Sequence, residues 1–461
     1  MFAELPQTHA NQPRSAGMLP RHWTTRRLRS VVDMLVSNVD KLSKDGEVPV
    51  RLCNYVDVYK RDVVTPDQEF MRATATQAEV DAFCLRIGDV VITKDSESFN
   101  DIAVPAYIAG AAKDLVCGYH LAILRPRGDI SGQFLYWALR APTVAHQFHV
   151  AAGGVTRFGL SHEDIKSAWV PVPPADEQAA IVKYLTHANA RIDKAIAAKR
   201  RLIALLDEQR NELATERLEN PNLGWQVRRL KTLLHGIDQG VSPQADNTVP
   251  GQDEWGVLKA GCVNGGKYRP DQVKRLPGDF VVPLSLAIRK GDLLVSRASG
   301  SPNLVGSVAR VPAPPGKVIL SDKTFRLRPR DDVDPDFLAL AMNSRRYRSQ
   351  VRQAISGADG LANNLPITEL RTFTFLVPPI DEQRRIVADV SRETATILHT
   401  AERTEREVTL LQEFRTRLVA DVVTGQVDVR QIAASLPEVD PADLGGGDET
   451  EIDELVGNGP A

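Results

Sequence analysis

Two stretches of this chain keep an apolar side chain at alternating steps of four and three for more than forty residues. From Asp176 to about Leu218 there is neither Pro nor Gly. The series runs Ile181, Leu185, Ala188, Ile192, Ala195, Leu202, Leu206 and Leu213, with Lys199 and Gln209 as exceptions. From Asp381 to about Thr424 it runs Val387, Val390, Ile397, Ala401, Val408, Leu411, Leu418 and Val422, interrupted by Thr394, Thr404 and Arg415. This spacing predicts two long helices with heptad seams. At 1.5 Å per residue each spans about 65 Å, longer than a typical domain, so each must bury its seam against another helix. The nearest partner for each is the other.

Upstream of each helix the pattern changes to short β-branched runs punctuated by Gly and Pro, which predict strands after turns. The two zones repeat one another. Trp23-Thr-Thr-Arg-Arg-Leu-Arg returns as Trp225-Gln-Val-Arg-Arg-Leu-Lys, Gly88-Asp-Val-Val-Ile as Gly291-Asp-Leu-Leu-Val, and Leu124-Arg-Pro-Arg as Leu327-Arg-Pro-Arg, at offsets of 202 and 203. Phe134-Leu135-x-x-Ala138 returns as Phe337-Leu338-x-x-Ala341. Val172-Pro-Pro-Ala-Asp-Glu-Gln-Ala-Ala-Ile-Val returns as Val377-Pro-Pro-Ile-Asp-Glu-Gln-Arg-Arg-Ile-Val, at an offset of 205. Matches in constant order at a nearly constant offset mark a tandem duplication, with a period too long for a solenoid.

The expected class is α+β: two duplicated mixed α/β domains separated by two long helices that form an antiparallel coiled coil, pseudo-two-fold symmetric. The expected boundaries are an N-terminal segment 1–22, a first domain 23–172, a first long helix 173–220, a second domain 221–377, a second long helix 378–426 and a tail 427–461. A helix is expected late in each domain, over Gly132–Leu139 and Asp336–Asn343. The repeated helix-start motif is Pro173, Pro174, Glu177 and Gln178 in the first copy and Pro378, Pro379, Glu382 and Gln383 in the second. Pro is tolerated at a helix start, and the acids that follow favour the positive end of the helix dipole; Asp176 and Asp381 are the expected N-caps.

These residues resemble the specificity subunit of type I restriction-modification systems. The likeness covers about residues 20–430, ending on Leu418-Val-Ala-Asp-Val-Val-Thr-Gly-Gln-Val-Asp-Val-Arg430. It implies two target recognition domains, each reading half of a split site in double-stranded DNA. It further implies two long helices as a spacer, and docking of two methyltransferase subunits and of restriction/translocase subunits. The chain itself is expected to be non-catalytic and to bind no cofactor, with S-adenosylmethionine, ATP and Mg on the partners. The alternatives are the recognition subunit of a multi-component type II enzyme and, from another class, a coiled-coil scaffold that binds protein.

Charge at first argues against DNA binding: 57 Lys and Arg stand against 59 Asp and Glu, a net charge of -2. Eight of those acids fall in Gln431–Ala461, which holds no Lys or Arg, and the Gly445-Gly-Gly run there reads as a disordered appendage. Without it, 57 bases meet 51 acids. The body is mildly basic, as suits a reader whose grip on DNA is shared with partners.

Other features exclude functions. No apolar run approaches the roughly 20 residues of a membrane span, and the N-terminus lacks the regions of a secretory signal. Cys53, Cys84, Cys117 and Cys262 are scattered, which indicates reduced thiols and a cytoplasmic location. No G-x-x-x-x-G-K-[ST] loop and no Asn-Pro-Pro-aromatic signature is present. His146 and His149 have no ligand partner at metal spacing and read as a solvated or partly packed pair. No catalytic constellation stands out.

The candidate DNA contacts lie in loops at matched positions. They are Lys94 and Ser96, Thr156 and Arg157 in the first domain, and Arg297 and Ser299, Asn363 and Asn364 in the second. Arg pairs in bidentate fashion with guanine and Asn with adenine. Arg345 and Arg346 on the late helix, and the clusters Arg26-Arg27-Arg29 and Arg228-Arg229-Lys231, are candidates for phosphate contact or helix-surface charge.

Overall fold

The computed structural model describes residues 19–98, 101–154, 157–219, 224–313, 316–355 and 363–444. The chain divides into two compact units: residues 1–203 with 403–461, and residues 204–402. Each holds one globular domain and one half of each long helix.

In the first unit a five-stranded sheet runs in the order Val32–Val36, Leu121–Pro126, Val90–Thr93, Pro105–Ile108, Val63–Val64. A three-stranded sheet beside it runs Met71–Ala75, Val48–Cys53, Leu115–Cys117. Val90–Thr93 shows why the strand pattern was a continuous apolar run. Val90 and Ile92 enter one core and Val91 the core on the other face, so both faces are covered. The turn before it closes from Asp89 N–H to the Arg86 carbonyl at 3.0 Å, and Gly88 supplies the positive φ of 92°.

The late helix, Gly132–Arg140, is capped by Ser131, whose hydroxyl accepts from the Phe134 amide. Every residue from Phe134 to Leu139 is buried. A helix covered on all sides needs no polar stripe, and this one lies at the centre of the first core.

The second unit repeats the plan. Its main sheet runs Leu234–Gln239, Thr324–Pro329, Leu293–Ser296, Val308–Arg310, and the smaller one Val273–Arg275, Trp255–Leu258, Lys317–Ile319. Leu293 and Val295 face one core, Leu294 the other. The late helix is Pro335–Ala341, capped by Asp334.

The long helices span Ala175–Glu219 and Ile380–Val423, 45 and 44 residues. Asp176 and Asp381 are therefore inside the first turn and not at the caps, where they still complement the helix dipole. In the first unit Arg415 is ion-paired with Asp193, and Lys199 donates to Glu407 at 2.6 Å. Rising numbers on one helix against falling numbers on the other define antiparallel pairing. In the second unit Ala214 and Leu218 share a core with Ile386 and Val390, and Arg217 donates to Glu393 at 2.5 Å.

Most of the polar interruptions of the heptad series lie in the pairing, whereas Gln209 is exposed. Lys199 and Arg415 have partners across it, and Thr394 and Thr404 are buried. Leu202, in contrast, is 42% exposed, whereas Ile196, outside the series, is buried.

The helix-start motif proves to be a clamp. Gln178 Nε2 donates to the carbonyls of Asp129 and Pro173 at 2.6 and 2.9 Å, and its Oε1 accepts from Ser131 N–H at 2.9 Å. Gln383 repeats this with Asp332, Pro378 and Asp334 at 3.1, 2.8 and 2.7 Å. Both glutamines are buried and tie the start of a long helix to the loop that caps the domain's late helix. Glu177 accepts from Trp23 Nε1 at 2.8 Å and lies 2.7 Å from His22 Nε2.

The tail departs from expectation between 427 and 444. Arg430–Ala434 is helical, Lys183 donates to Glu438 at 2.7 Å, and Leu444 is fully buried in the first core. Apolar residues such as Val429, Ala433 and Leu444 among the acids make this docking possible, and bulk composition concealed them. Residues 445–461 lie outside the described residues.

Candidate nucleic-acid interface

In the first domain four separate segments converge at the end of Val90–Thr93, the central strand of the main sheet. The two-residue strand Asp95–Ser96 pairs with Phe158–Gly159, in the register Ser96 to Phe158 and Asp95 to Gly159. Lys94 N–H donates to the His120 carbonyl at 2.9 Å, and the Leu160 amide to the Lys94 carbonyl at 3.0 Å. Gly153 and Gly159 exchange amide hydrogen bonds of 3.2 and 2.9 Å, closing the loop that carries Arg157. Gly154 has φ 134°, and a Cβ there would stand 1.9 Å from the Arg157 carbonyl, so only Gly fits.

Lys94 and Arg157 are therefore neighbours. Lys94 Nζ and His120 Nδ1 reach the same Asp95 oxygen, at 2.8 and 3.1 Å. Burial works to raise the Asp95 carboxyl, but the hydrogen bonds from Lys94 and His120 outweigh it and hold the group below the usual carboxylate range. Ser96 is buried, its hydroxyl taken by Tyr55 at 3.1 Å and by the Ser98 amide at 3.2 Å, so it supports the loop and does not present itself to solvent. Thr156 lies outside the described residues.

Aromatic rings that periodicity did not single out complete the cluster. Tyr55 and Tyr59 stack at 5.6 Å, and Tyr119 lies 3.7 Å from the His120 ring; Tyr59 and Tyr119 are exposed. Exposed rings beside charged groups offer stacking surfaces as well as hydrogen bonds. Their only trace in the sequence is the pair of short segments Asn54-Tyr55 and Gly118-Tyr119-His120, which carry no motif.

The second domain builds the same frame with other side chains. Ala298–Ser299 pairs with Asn363–Asn364, Ser299 opposite Asn363 and Ala298 opposite Asn364. Arg297 N–H donates to the Lys323 carbonyl at 2.8 Å and the Leu365 amide to the Arg297 carbonyl at 2.9 Å, the counterparts of the Lys94 and Leu160 bonds. The Arg297 guanidinium donates to the Asp322 carbonyl at 3.1 Å and lies 5.7 Å from the centre of the Phe325 ring. Arg297, Ser299, Asn363 and Asn364 are thus brought together. None of the four is fully buried.

The remaining basic candidates lie elsewhere. Arg345 faces the first long helix, 3.4 Å from Glu212, and Arg346 lines a small recess with Leu218, Ala341 and Tyr347. Arg29 pairs with Glu163 at 2.7 Å, Arg27 lies 5.0 Å from the Trp169 ring and Arg228 pairs with Asp332 at 2.6 Å. These contacts fasten the first strand of each domain. Among the described residues no cluster of three or more His, Cys, Asp or Glu is placed to hold a metal. Burial and His146 push the His149 imidazole down. No described helix is long and apolar enough to cross a membrane.

Comparison with known proteins places this geometry. Residues 20–201 match the family model described as Type I restriction modification DNA specificity domain. The EcoEI type I restriction enzyme specificity subunit of Escherichia coli is 28% identical over 170 residues, 36% of this chain and 28% of that protein. The StySPI specificity subunit of Salmonella potsdam is 24% identical over 209 residues, 44% of this chain and 43% of that protein. The chain thus matches less than half the length of these two relatives. The EcoKI specificity subunit of Escherichia coli (strain K12) is 21% identical over 399 residues, 82% of this chain and 83% of that protein. A chain solved in work on complex assembly and conformational transition of the type I R-M system superposes with a TM-score of 0.56 at 17% identity, covering 89% of this chain and 100% of that one. At that identity the likeness is one of fold.

Proposed function

We propose that this chain, whose residues 20–201 match the type I restriction modification DNA specificity domain, is the non-catalytic DNA reader of such a complex, recognising a bipartite, asymmetric site. One observation carries the proposal: the two domains present loop clusters at the same topological place, on matching backbone hydrogen bonds, with different side chains. A duplicated frame with unlike reading groups suits a site of two unlike halves. The paired long helices suit a spacer of set length between the halves, as in other two-module DNA readers.

The partners of this reading are double-stranded DNA, two methyltransferase subunits and restriction/translocase subunits, in the cytoplasm. S-adenosylmethionine, ATP and Mg belong to those partners. The target adenine must leave the base stack to be methylated, so this chain's task is to hold the duplex in register while the partner acts.

Co-expression with the methyltransferase gene beside it, followed by long-read mapping of genomic methylation, tests the proposal. A motif of two unlike blocks separated by a fixed gap is the expected result. No methylation, or one continuous motif, overturns it. A gel shift of the complex on random duplex should weaken steeply between about 50 and 200 mM salt, as phosphate neutralisation requires; a protein-binding scaffold would show no such slope.

A further inference from the structure

The first domain holds a chain of three polar groups that the second lacks. Asp95 Oδ2 lies 3.1 Å from His120 Nδ1, and Arg157 Nη2 lies against the face of the ring, 3.1 Å from Nδ1 and 3.0 Å from Nε2. The carboxylate fixes the orientation of the imidazole, and the flat guanidinium of Arg157 packs on the ring so held. Asp95 and His120 are mostly buried, with side-chain exposures of 22% and 19%, whereas Arg157 is exposed. The remaining guanidinium N–H groups of Arg157 meet no partner among the described residues. The arrangement is a supported fork, open to solvent on one edge.

The duplicated domain supplies an internal control. The backbone bonds and strand register around this point are the same in both copies, but Asp95 corresponds to Ala298 and His120 to Lys323. The fold is therefore built without either group. Gly159 is matched to Asp95, since a Cβ there would stand 2.9 Å from the Asp95 carboxylate; the second copy, with Ala298 in that place, carries Asn364 instead. A carboxylate, an imidazole and a glycine that change together, where the backbone does not, serve what the loop presents.

We propose that Asp95 and His120 are specificity-determining positioning residues that hold the Arg157 fork to read a guanine in the half-site of the first domain. The proposal rests on the DNA-reading function above. Bidentate recognition of guanine O6 and N7 needs the guanidinium plane held still, whereas a phosphate accepts a cation in many orientations. A relay of two half-buried groups behind one exposed arginine meets the first need and is superfluous for the second.

The test uses the full chain co-purified with its methyltransferase partner, and selection from a randomised duplex library. Wild type should enrich a two-block motif. Arg157→Lys, His120→Ala and Asp95→Ala should each lose roughly tenfold of the preference at a single G·C pair in one block, leaving the other block unchanged. His120→Phe, whose flat ring can still carry the guanidinium, should recover part of that preference. Arg157→Lys alters an exposed side chain, so its result stands even if a variant at Asp95 folds poorly. Uniform weakening over all sequences, or an unchanged motif, overturns the relay. Wild type that enriches no motif overturns instead the DNA-reading function on which it rests.

Discussion

Gln178 and Ser131 are joined by a hydrogen bond of 2.9 Å from the Ser131 amide to the Gln178 side-chain carbonyl. The same glutamine donates to Asp129 and Pro173, so one buried amide meets three backbone groups. Gln383 does the same in the second domain. Replacing either by Ala strands buried polar groups and should cost about 2–4 kcal/mol. Urea unfolding of the full chain would read this as a lower midpoint. Gln383→Ala should lower the transition of the second unit, and Gln178→Ala that of the first.

Asp193 and Arg415 form a mostly buried pair between the antiparallel helices, with side-chain exposures of 11% and 17%. Burial raises the Asp193 carboxyl, and Arg415 only partly counters it. Removing one partner leaves a buried charge alone, so Arg415→Leu or Asp193→Leu should each cost about 3–5 kcal/mol. The double substitution should recover most of the loss, since an apolar pair fits the seam. A double-mutant cycle on melting temperature measures the coupling.

The docked part of the tail predicts a difference between two truncations. A chain ending at residue 426 loses Val429, Ala433 and Leu444, and the contacts of Arg430 and Glu438 with Glu177 and Lys183. A chain ending at residue 444 keeps them. The shorter chain should melt several degrees lower, since burial of Val429 and of Leu444 contributes about 1.5–3 kcal/mol each before the entropy of ordering is offset. Equal melting temperatures would show that the docking adds nothing.

Asp428 grips Arg430 through both oxygens, with Nε to Oδ1 at 3.0 Å and Nη2 to Oδ2 at 2.7 Å, and this holds the carboxyl down to about 2. Its folded value lies below its ordinary 3.8, so the pair's stabilisation is fully present above that value and is lost as pH falls toward about 2. The group is exposed, and salt will weaken the effect. A carboxyl carbon titration of Asp428 by nuclear magnetic resonance should show the low midpoint, moving up in Arg430→Ala but only part of the way, because the backbone N–H of residue 430 still donates to it.

Much of the architecture was legible because it is local. The helices Ala175–Glu219 and Ile380–Val423 declare themselves through periodicity and the absence of Gly and Pro. The duplication is visible in Gly88-Asp-Val-Val-Ile and Gly291-Asp-Leu-Leu-Val. Asp176 and Asp381 each stand two positions past the cap, where they satisfy first-turn electrostatics as well as a cap would. Lys94, Arg157, Arg297, Ser299, Asn363 and Asn364 lie in loops that the duplication matches, and the structure gathers them on equivalent strand pairs. Arg345 and Arg346 stand apart from these clusters, and the glutamate of the long helix beside Arg345 is a neighbour that no local pattern reveals.

By itself the sequence determined the two domains, their order and the two helices, since repeats and heptads are written in neighbouring residues. Tertiary structure alone decided which side chains meet. His120 stands 25 residues from Asp95 and 37 from Arg157, and no spacing rule joins them. They converge because strand register brings Asp95 against Gly159, and because the Lys94 amide binds the His120 carbonyl. Leu444 reads as part of an acidic tail until the first core is seen to enclose it. Local pattern sets which elements form. Long-range pairing sets what they present to a ligand, because the position of a side chain depends on backbone bonds made far away along the chain.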